Sequence, residues 1–292
     1  MDVSHCMLCP RNCGVDRSRG ALGFCGCPGT ALVAKAMIHR WEEPALAGPG
    51  GSGAVFFGGC TLRCSFCQNA AISAAPVGTP TDSAGLRHIF EDLIAQGAEN
   101  IDLITPTQYL PTILPALEPK LPVPVVYNCG GYERVETLRA LEGKIDIYLP
   151  DLKYADGTLA RRLSGAGDYF PVAAAAIREM VRQTGPIVYR GEKVIRGTVI
   201  RHLILPGQVN GAKAVMDYVA ERFPPHTVLF SLMSQYTPWG DLSRTPELDR
   251  RLRRGEMNAA ADYMRNLGLD GFCQERTSAK EEYTPPFDLT GV

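Results

Sequence analysis

An α/β fold whose parallel sheet curls into a partial barrel is what this sequence predicts, on three observations. From Ala54 onward, short apolar runs alternate with amphipathic stretches, the rhythm of successive βα units. Parallel strands joined by right-handed crossovers curl such units in one direction. At 292 residues the chain is long enough to bury roughly 75% of its unfolded surface, with one large α/β domain as good a fit as two small ones.

Each unit is read in turn. The first strand is expected at Ala54 to Phe57, entering a cysteine-rich loop. A helix from about Ser83 to Gln96 places Leu86, Ile89, Phe90, Leu93 and Ile94 on one face, with Gly97 as its stop. Strand two is Ile101 to Thr105, and its helix carries Leu110, Ile113, Leu114 and Leu117 among prolines. Strand three is Pro124 to Tyr127, with a helix from about Glu133 to Leu141, and strand four is Ile145 to Leu149. An insertion from Gly157 to Gly197 holds a helix, Val172 to Gln183, and a hairpin over Ile187 to Ile195. Strand five is Thr198 to Leu205, with a helix from Asn210, its cap, to Glu221. Strand six is Thr227 to Leu232, followed by a helix within Pro246 to Leu267 and a short strand near Phe272. Residues 1–43 are expected to form a Cys-rich metal-binding segment and residues 44–292 the barrel domain, joined by a Gly/Pro/Ser linker at 44–53.

Composition excludes several function classes. The formal net charge is −1 and no basic run is dense enough to form a patch, so polyanion binding is not expected. No apolar stretch approaches a membrane span, and the opening Met-Asp-Val-Ser-His-Cys does not read as a signal, so a cytoplasmic protein is expected. The ten cysteines cluster in C-x2-C and C-x3-C units, which favours metal binding in a reducing compartment over disulfides.

The chemistry concentrates in Gly58-Gly59-Cys60-Thr61-Leu62-Arg63-Cys64-Ser65-Phe66-Cys67. A four-iron cube normally takes four thiolates, so three closely spaced cysteines leave one iron open to a non-protein ligand. Glycines let the loop wrap an inorganic core, and Phe66 is placed to cover it against water. A structural zinc loop is the alternative, but it needs a fourth ligand and more often shows paired C-x2-C units. This C-x3-C-x2-C loop resembles the signature of the radical SAM enzymes. That resemblance implies a partial (βα)6 barrel of radical SAM type with an N-terminal Cys-rich metal-binding extension. It also implies a [4Fe-4S] cluster on Cys60, Cys64 and Cys67, whose open iron binds S-adenosylmethionine. Reductive cleavage then gives a 5'-deoxyadenosyl radical that abstracts hydrogen from a substrate.

Polar residues gather at the strand ends, where a barrel keeps its chemistry. Thr105 and Thr107 follow strand two, Asn128 and Cys129 strand three, Asp151 and Lys153 strand four, and Gln235 and Tyr236 strand six, while Arg201 interrupts apolar strand five. Asp151 and Lys153, two apart on an extended segment, point the same way, against the plain reading of a surface ion pair. A buried Arg201 needs a partner, and Asp151 or a ligand carboxylate serves. The Asp151-x-Lys153 segment and Arg201 before Pro206-Gly207 resemble the glycyl-radical-enzyme activases typified by pyruvate formate-lyase activating enzyme. Leu8-Cys9-Pro10-Arg11-Asn12-Cys13-Gly14-Val15 and Ser231 to Pro238 narrow this to the PflX-like proteins. Two departures stand out. Thr105-Pro106-Thr107 replaces the Gly-Gly-Glu that holds the cosubstrate amine, and Asn128-Cys129 replaces an Asp-Thr pair, which puts a cation site beside Asp151 in doubt.

Phe66, Thr105, Thr107, Asn128, Asp151, Lys153 and Arg201 are accordingly expected at the cosubstrate. Tyr109, Cys129, Tyr132, His202, Gln235 and Tyr236 are expected at the substrate. Cys6, Cys9 and Cys13, with Cys25 and Cys27, form a second set for zinc or an auxiliary iron-sulfur cluster, Cys25 and Cys27 being too close to separate by sequence. A glycyl radical enzyme or a small molecule or peptide is the expected substrate, and a flavodoxin or ferredoxin the expected reductant. A metal-binding regulatory protein without catalysis is the rival class.

Overall fold

The computed structural model of the protein describes residues 1–43, 45–239, 242–243, 245–274 and 285–292. Its strands are β1 (Ala31–His39), β2 (Ser52–Phe57), β3 (Thr79–Thr81), β4 (Ile101–Ile104), β5 (Val125–Cys129), β6 (Ile147–Pro150), β7 (Val188–Arg190), β8 (Lys193–Leu203), β9 (Leu229–Met233) and β10 (Gly271–Cys273). The helices are α1 (Ala70–Ser73), α2 (Ser83–Ala95), α3 (Leu110–Ala116), α4 (Val135–Arg139), α5 (Gly157–Ser164), α6 (Tyr169–Thr184), α7 (Val209–Arg222) and α8 (Arg254–Leu267). Among the described residues no helix is long and apolar enough to cross a membrane.

The sheet runs β10-β9-β8-β6-β5-β4-β2-β1-β3, with β7 hairpinned onto β8. Pairing is parallel from β2 through β10, whereas β1 is antiparallel to both β2 and β3. The sheet is therefore open, a partial barrel whose six expected βα strands are β2, β4, β5, β6, β8 and β9. Strands β2, β4 and β5 read as apolar runs because both their faces are covered, and β2 and β5 are buried throughout. Helix α2 seals the sheet with Leu86, Phe90 and Leu93, and Asp82 caps it by accepting a hydrogen bond from the Gly85 N–H at 2.8 Å.

Several elements differ from the sequence expectation. Strand β1 was unread because Ala31–His39 lacks alternation; most of it is buried, including Lys35, whose ammonium bonds the Asp288 carboxylate (2.7 Å) and Pro286 carbonyl (2.8 Å) of the C-terminal segment. The boundary expected between residues 43 and 44 lies between β1 and β2, which pair antiparallel in one sheet. Helix α5 was also unread. Helix α7 starts at Val209 with Gln208 in the cap position, rather than at Asn210.

Asp82→Ala removes the α2 cap and is expected to lower unfolding free energy by about 1 kcal/mol. Urea denaturation of the two proteins checks this.

Candidate active site

The loop after β2 carries the three closely spaced cysteines past Gly59, whose φ of +76° a side chain resists and whose Cβ would lie 2.1 Å from the Cys27 sulfur. Each sulfur of the triplet accepts a hydrogen bond: Cys60 from the Leu62 N–H (3.4 Å), Cys64 from the Ser164 hydroxyl (3.0 Å) and Cys67 from the Ser73 hydroxyl (3.3 Å). All three face a cavity of about 220 Å³, with Leu62, Phe66 and Ile72 on its apolar wall. Phe66 is held edge-on to Tyr154 at 6.4 Å between ring centroids and tilted on Tyr236 at 6.2 Å. Burial, and then the neighbouring thiols Cys64 and Cys67, push the Cys60 thiol up to about 12. Burial and Cys64 also raise Cys67. A cationic centre bound among these sulfurs reverses that penalty, and donors aimed at the sulfurs suit thiolates.

The opposite wall is polar. Past β6, Asp151 accepts from Lys153 Nζ at 2.5 Å and from Arg201 Nε at 3.0 Å. Arg201 also donates to the Asn128 side-chain oxygen at 2.6 Å, and Asn128 Nδ2 donates to Asp102 at 3.2 Å. Burial works to raise the Asp151 carboxyl, but the Arg201 and Lys153 charges outweigh it and hold the group below its ordinary value. Asp102, fully buried in β4, is pushed well above its ordinary value by burial and by Glu42.

Asn128, Arg201 and Gln235 also line an adjoining cavity of about 550 Å³, together with Glu42 and Glu43. Glu43 accepts from Ser231 Oγ (3.0 Å) and Gln274 Nε2 (3.1 Å), and burial raises its carboxyl to about 7.

Of the expected site residues, Phe66, Thr105, Asn128, Cys129, Asp151, Lys153, Arg201, Gln235 and Tyr236 line the smaller cavity. Thr105 does so with φ +59°, a strained conformation for a threonine. Four expected residues do not line it. Thr107 is buried, its hydroxyl donating to Glu133 at 2.8 Å. Tyr109 is buried among the N-terminal lead, its ring centroid 5.8 Å from the Arg17 guanidinium. Tyr132 donates to Asp168 at 2.8 Å and stacks on Tyr169. His202 lies 2.7 Å from the Leu152 carbonyl, because strand alternation turns it away when Arg201 faces in.

Asp102, Glu133, Glu42 and Glu43 were missed. Asp102 carried the same signal as Arg201, one charge inside an apolar strand.

The N-terminal lead is clamped by arginines. Arg11 donates to the carbonyls of Thr61 (2.9 Å), Ser164 (2.8 Å) and Gly165 (2.6 Å) and lies 3.8 Å over the Phe24 ring. Arg17, 2% exposed, donates to the carbonyls of Cys27, Gln108 and Pro28 and lies 3.7 Å from the Cys6 sulfur. Cys6, Cys9, Cys13 and Cys25 face one small cavity of about 20 Å³. Cys27 does not; its thiol is turned to the Cys25 and Gly58 carbonyls. Among the described residues no three His, Cys, Asp or Glu side chains close on a common point at metal-ligand spacing, so both cysteine sets border a space.

Residues 46–105, which contain Cys60, Cys64 and Cys67, match the family described as a 4Fe-4S single cluster domain. The chain is 27% identical to an uncharacterized protein of Methanocaldococcus jannaschii over 91% of its own length and 76% of that protein's. Among solved structures it resembles Streptococcus suis SuiB bound to precursor peptide SuiA, at a TM-score of 0.50 and 15% identity over 74% of this chain. It spans 46% of SuiB. It also resembles spore photoproduct lyase with a dinucleoside spore photoproduct, at a TM-score of 0.50 and 11% identity over 75% of this chain and 74% of the other. The open α/β barrel is therefore a fold these proteins share.

Glu133 is buried against Thr107 and Tyr127, and burial pushes its carboxyl up to about 8. A carboxyl raised on folding favours the folded state fully below its ordinary value of 4.5, and that contribution is lost as pH rises to about 8. Glu133→Gln is expected to flatten the fall of stability across this window by about 1.4 kcal/mol per pH unit. Urea titrations at stepped pH check it, and superimposable slopes would refute it.

Proposed function

We propose that this protein is a radical SAM enzyme, with Cys60, Cys64 and Cys67 holding a [4Fe-4S] cluster in the smaller cavity. The observation that carries the reading is three sulfurs, each with its own hydrogen-bond donor, facing a cavity whose other wall is the Asp151, Lys153, Arg201 and Asn128 network. The 4Fe-4S family match over 46–105 and the shared fold support it. When bound and reduced, such a cluster supplies the electron that cleaves S-adenosylmethionine to methionine and a 5'-deoxyadenosyl radical.

The chain's residues do the rest. Lys153 and Arg201 present positive charge for the cosubstrate carboxylate, and Asp151 and the Thr105 backbone and hydroxyl present acceptors for its amine. Leu62, Phe66 and Ile72 exclude water from the sulfonium side. Buried ion pairs hold these groups in place before the ligand arrives, so little reorganisation accompanies its binding.

The finer reading is a PflX-like activase, resting on Asp151-x-Lys153 and on Arg201. SuiB binds a precursor peptide and spore photoproduct lyase a dinucleoside, so the fold accommodates peptide as well as nucleotide ligands.

In the N-terminal lead we assign Cys6, Cys9, Cys13 and Cys25 as ligands of a second metal centre. Arg17 supports this. Its buried guanidinium forms no ion pair with a carboxylate among the described residues, whereas thiolates at Cys6 and Cys25 supply the missing negative charge. The Cys27 thiol, turned to the Cys25 and Gly58 carbonyls, supports leaving it out of this set.

Anaerobic reconstitution with iron, sulfide and a reductant is expected to give 5'-deoxyadenosine from S-adenosylmethionine, with any one of Cys60→Ala, Cys64→Ala or Cys67→Ala abolishing it. An intact cluster that yields no nucleoside contradicts the reading. For the lead, Cys25→Ser is expected to remove one equivalent of its metal centre by elemental analysis while Cys27→Ser retains it; the reverse pattern reassigns the ligand.

A further inference from the structure

We infer that the 550 Å³ chamber is the substrate site and that the substrate presents a protonated amine or guanidinium to Glu42 and Glu43. This deepens the radical reading above and rests on it. The chamber adjoins the cluster cavity through Asn128, Arg201 and Gln235, which line both, so a ligand in it lies next to the cosubstrate pocket.

Its charge and hydrogen-bond balance select the ligand. Glu43 is 2% exposed, and among the described residues it receives only neutral donors, Ser231 and Gln274. The Glu42 side chain is 10% exposed and pairs with Arg201 Nη1 at 3.6 Å, a guanidinium that also pairs with Asp151 through Nε, so the two carboxylates share one cation. Among the described residues Gln274, on the chamber wall, leaves its buried Oε1 without a partner. Of the other basic side chains among the described residues that line it, Arg40 at the rim donates to the Pro49 carbonyl, and burial holds the His39 imidazole below its ordinary value. Among the described residues the chamber lining therefore sets two carboxylates, Glu42 and Glu43, beside one guanidinium that Asp151 also shares. Ammonium and guanidinium groups are donors without acceptors, and a cation beside a buried carboxyl favours its ionised form. An anionic substrate would meet like charge in a desolvated site.

Calorimetry on the full chain, reconstituted anaerobically with S-adenosylmethionine, tests this. The probes are agmatine and putrescine, and blocked tripeptides carrying lysine or arginine; butane-1,4-diol and glutarate are the neutral and anionic controls. At least one cationic probe is expected to bind about tenfold or more tightly than the diol, and Glu42→Gln and Glu43→Gln are each expected to weaken it about tenfold. Preference for the free amines or for the tripeptides identifies the source of the cationic group. Diol or glutarate binding as well as every cationic probe overturns the inference, as does cation binding indifferent to both substitutions. The same preparation is assayed for 5'-deoxyadenosine without probe: its absence counts against the radical reading, whereas its presence with no cation selectivity overturns this inference alone.

Discussion

A guanidinium buried at the mouth of a parallel barrel has to find negative charge within bonding distance, and the strand ends here are arranged around that requirement. Arg201 sits in β8, and the groups it reaches come from the ends of β5 and β6: Asn128 at 2.6 Å and Asp151 at 3.0 Å. The backbone follows the same contact, since Asp151 and Arg201 form a parallel bridge and the Leu152 N–H donates to the Arg201 carbonyl at 2.8 Å. With one partner removed, the other would remain a desolvated charge, at a cost of about 3–5 kcal/mol. The network therefore fixes geometry more than it adds stability, and the geometry it fixes is the polar half of the site.

The other half is set by the cysteine loop and by what lies over it. Burial first, and then the neighbouring thiols, disfavour ionisation of Cys60 and Cys67 and raise both. Donors from Leu62, Ser73 and Ser164 ease that penalty, and Ser164 comes from the end of α5, a helix the barrel rhythm alone does not require. Arg11 ties the N-terminal lead to that same helix end and to the Thr61 carbonyl within the loop. The lead, the loop and α5 thus hold one another, which explains why a short, core-poor segment keeps a defined shape.

Much of this was legible in the sequence because it rests on local pattern. Apolar runs at even spacing gave the six parallel strands, and a single arginine within Val199 to Leu205 gave the buried charge. The failures share a different cause. Strand β1 carries a lysine and little alternation, and the partner of that buried lysine, Asp288, lies far along the chain. His202 and Thr107 were polar and near strand ends, but strand alternation in one case and a buried Glu133 in the other turned them from the cavity. Glu42 and Glu43 follow the unread strand, so nothing local placed them beside Arg201. Cys25 and Cys27, two apart in sequence, differ in surroundings that no local pattern carries: Cys25 faces the small cavity, and the Cys27 thiol is turned to the Gly58 and Cys25 carbonyls.

The central claim is that the cluster held by Cys60, Cys64 and Cys67 keeps one iron free for a small sulfonium ligand. Electron paramagnetic resonance of the reduced, reconstituted protein, with and without S-adenosylmethionine, tests it most directly. A cluster signal whose g-values change on adding the cosubstrate is the predicted result. A signal indifferent to it, or a site that takes up zinc and no iron, would contradict the claim.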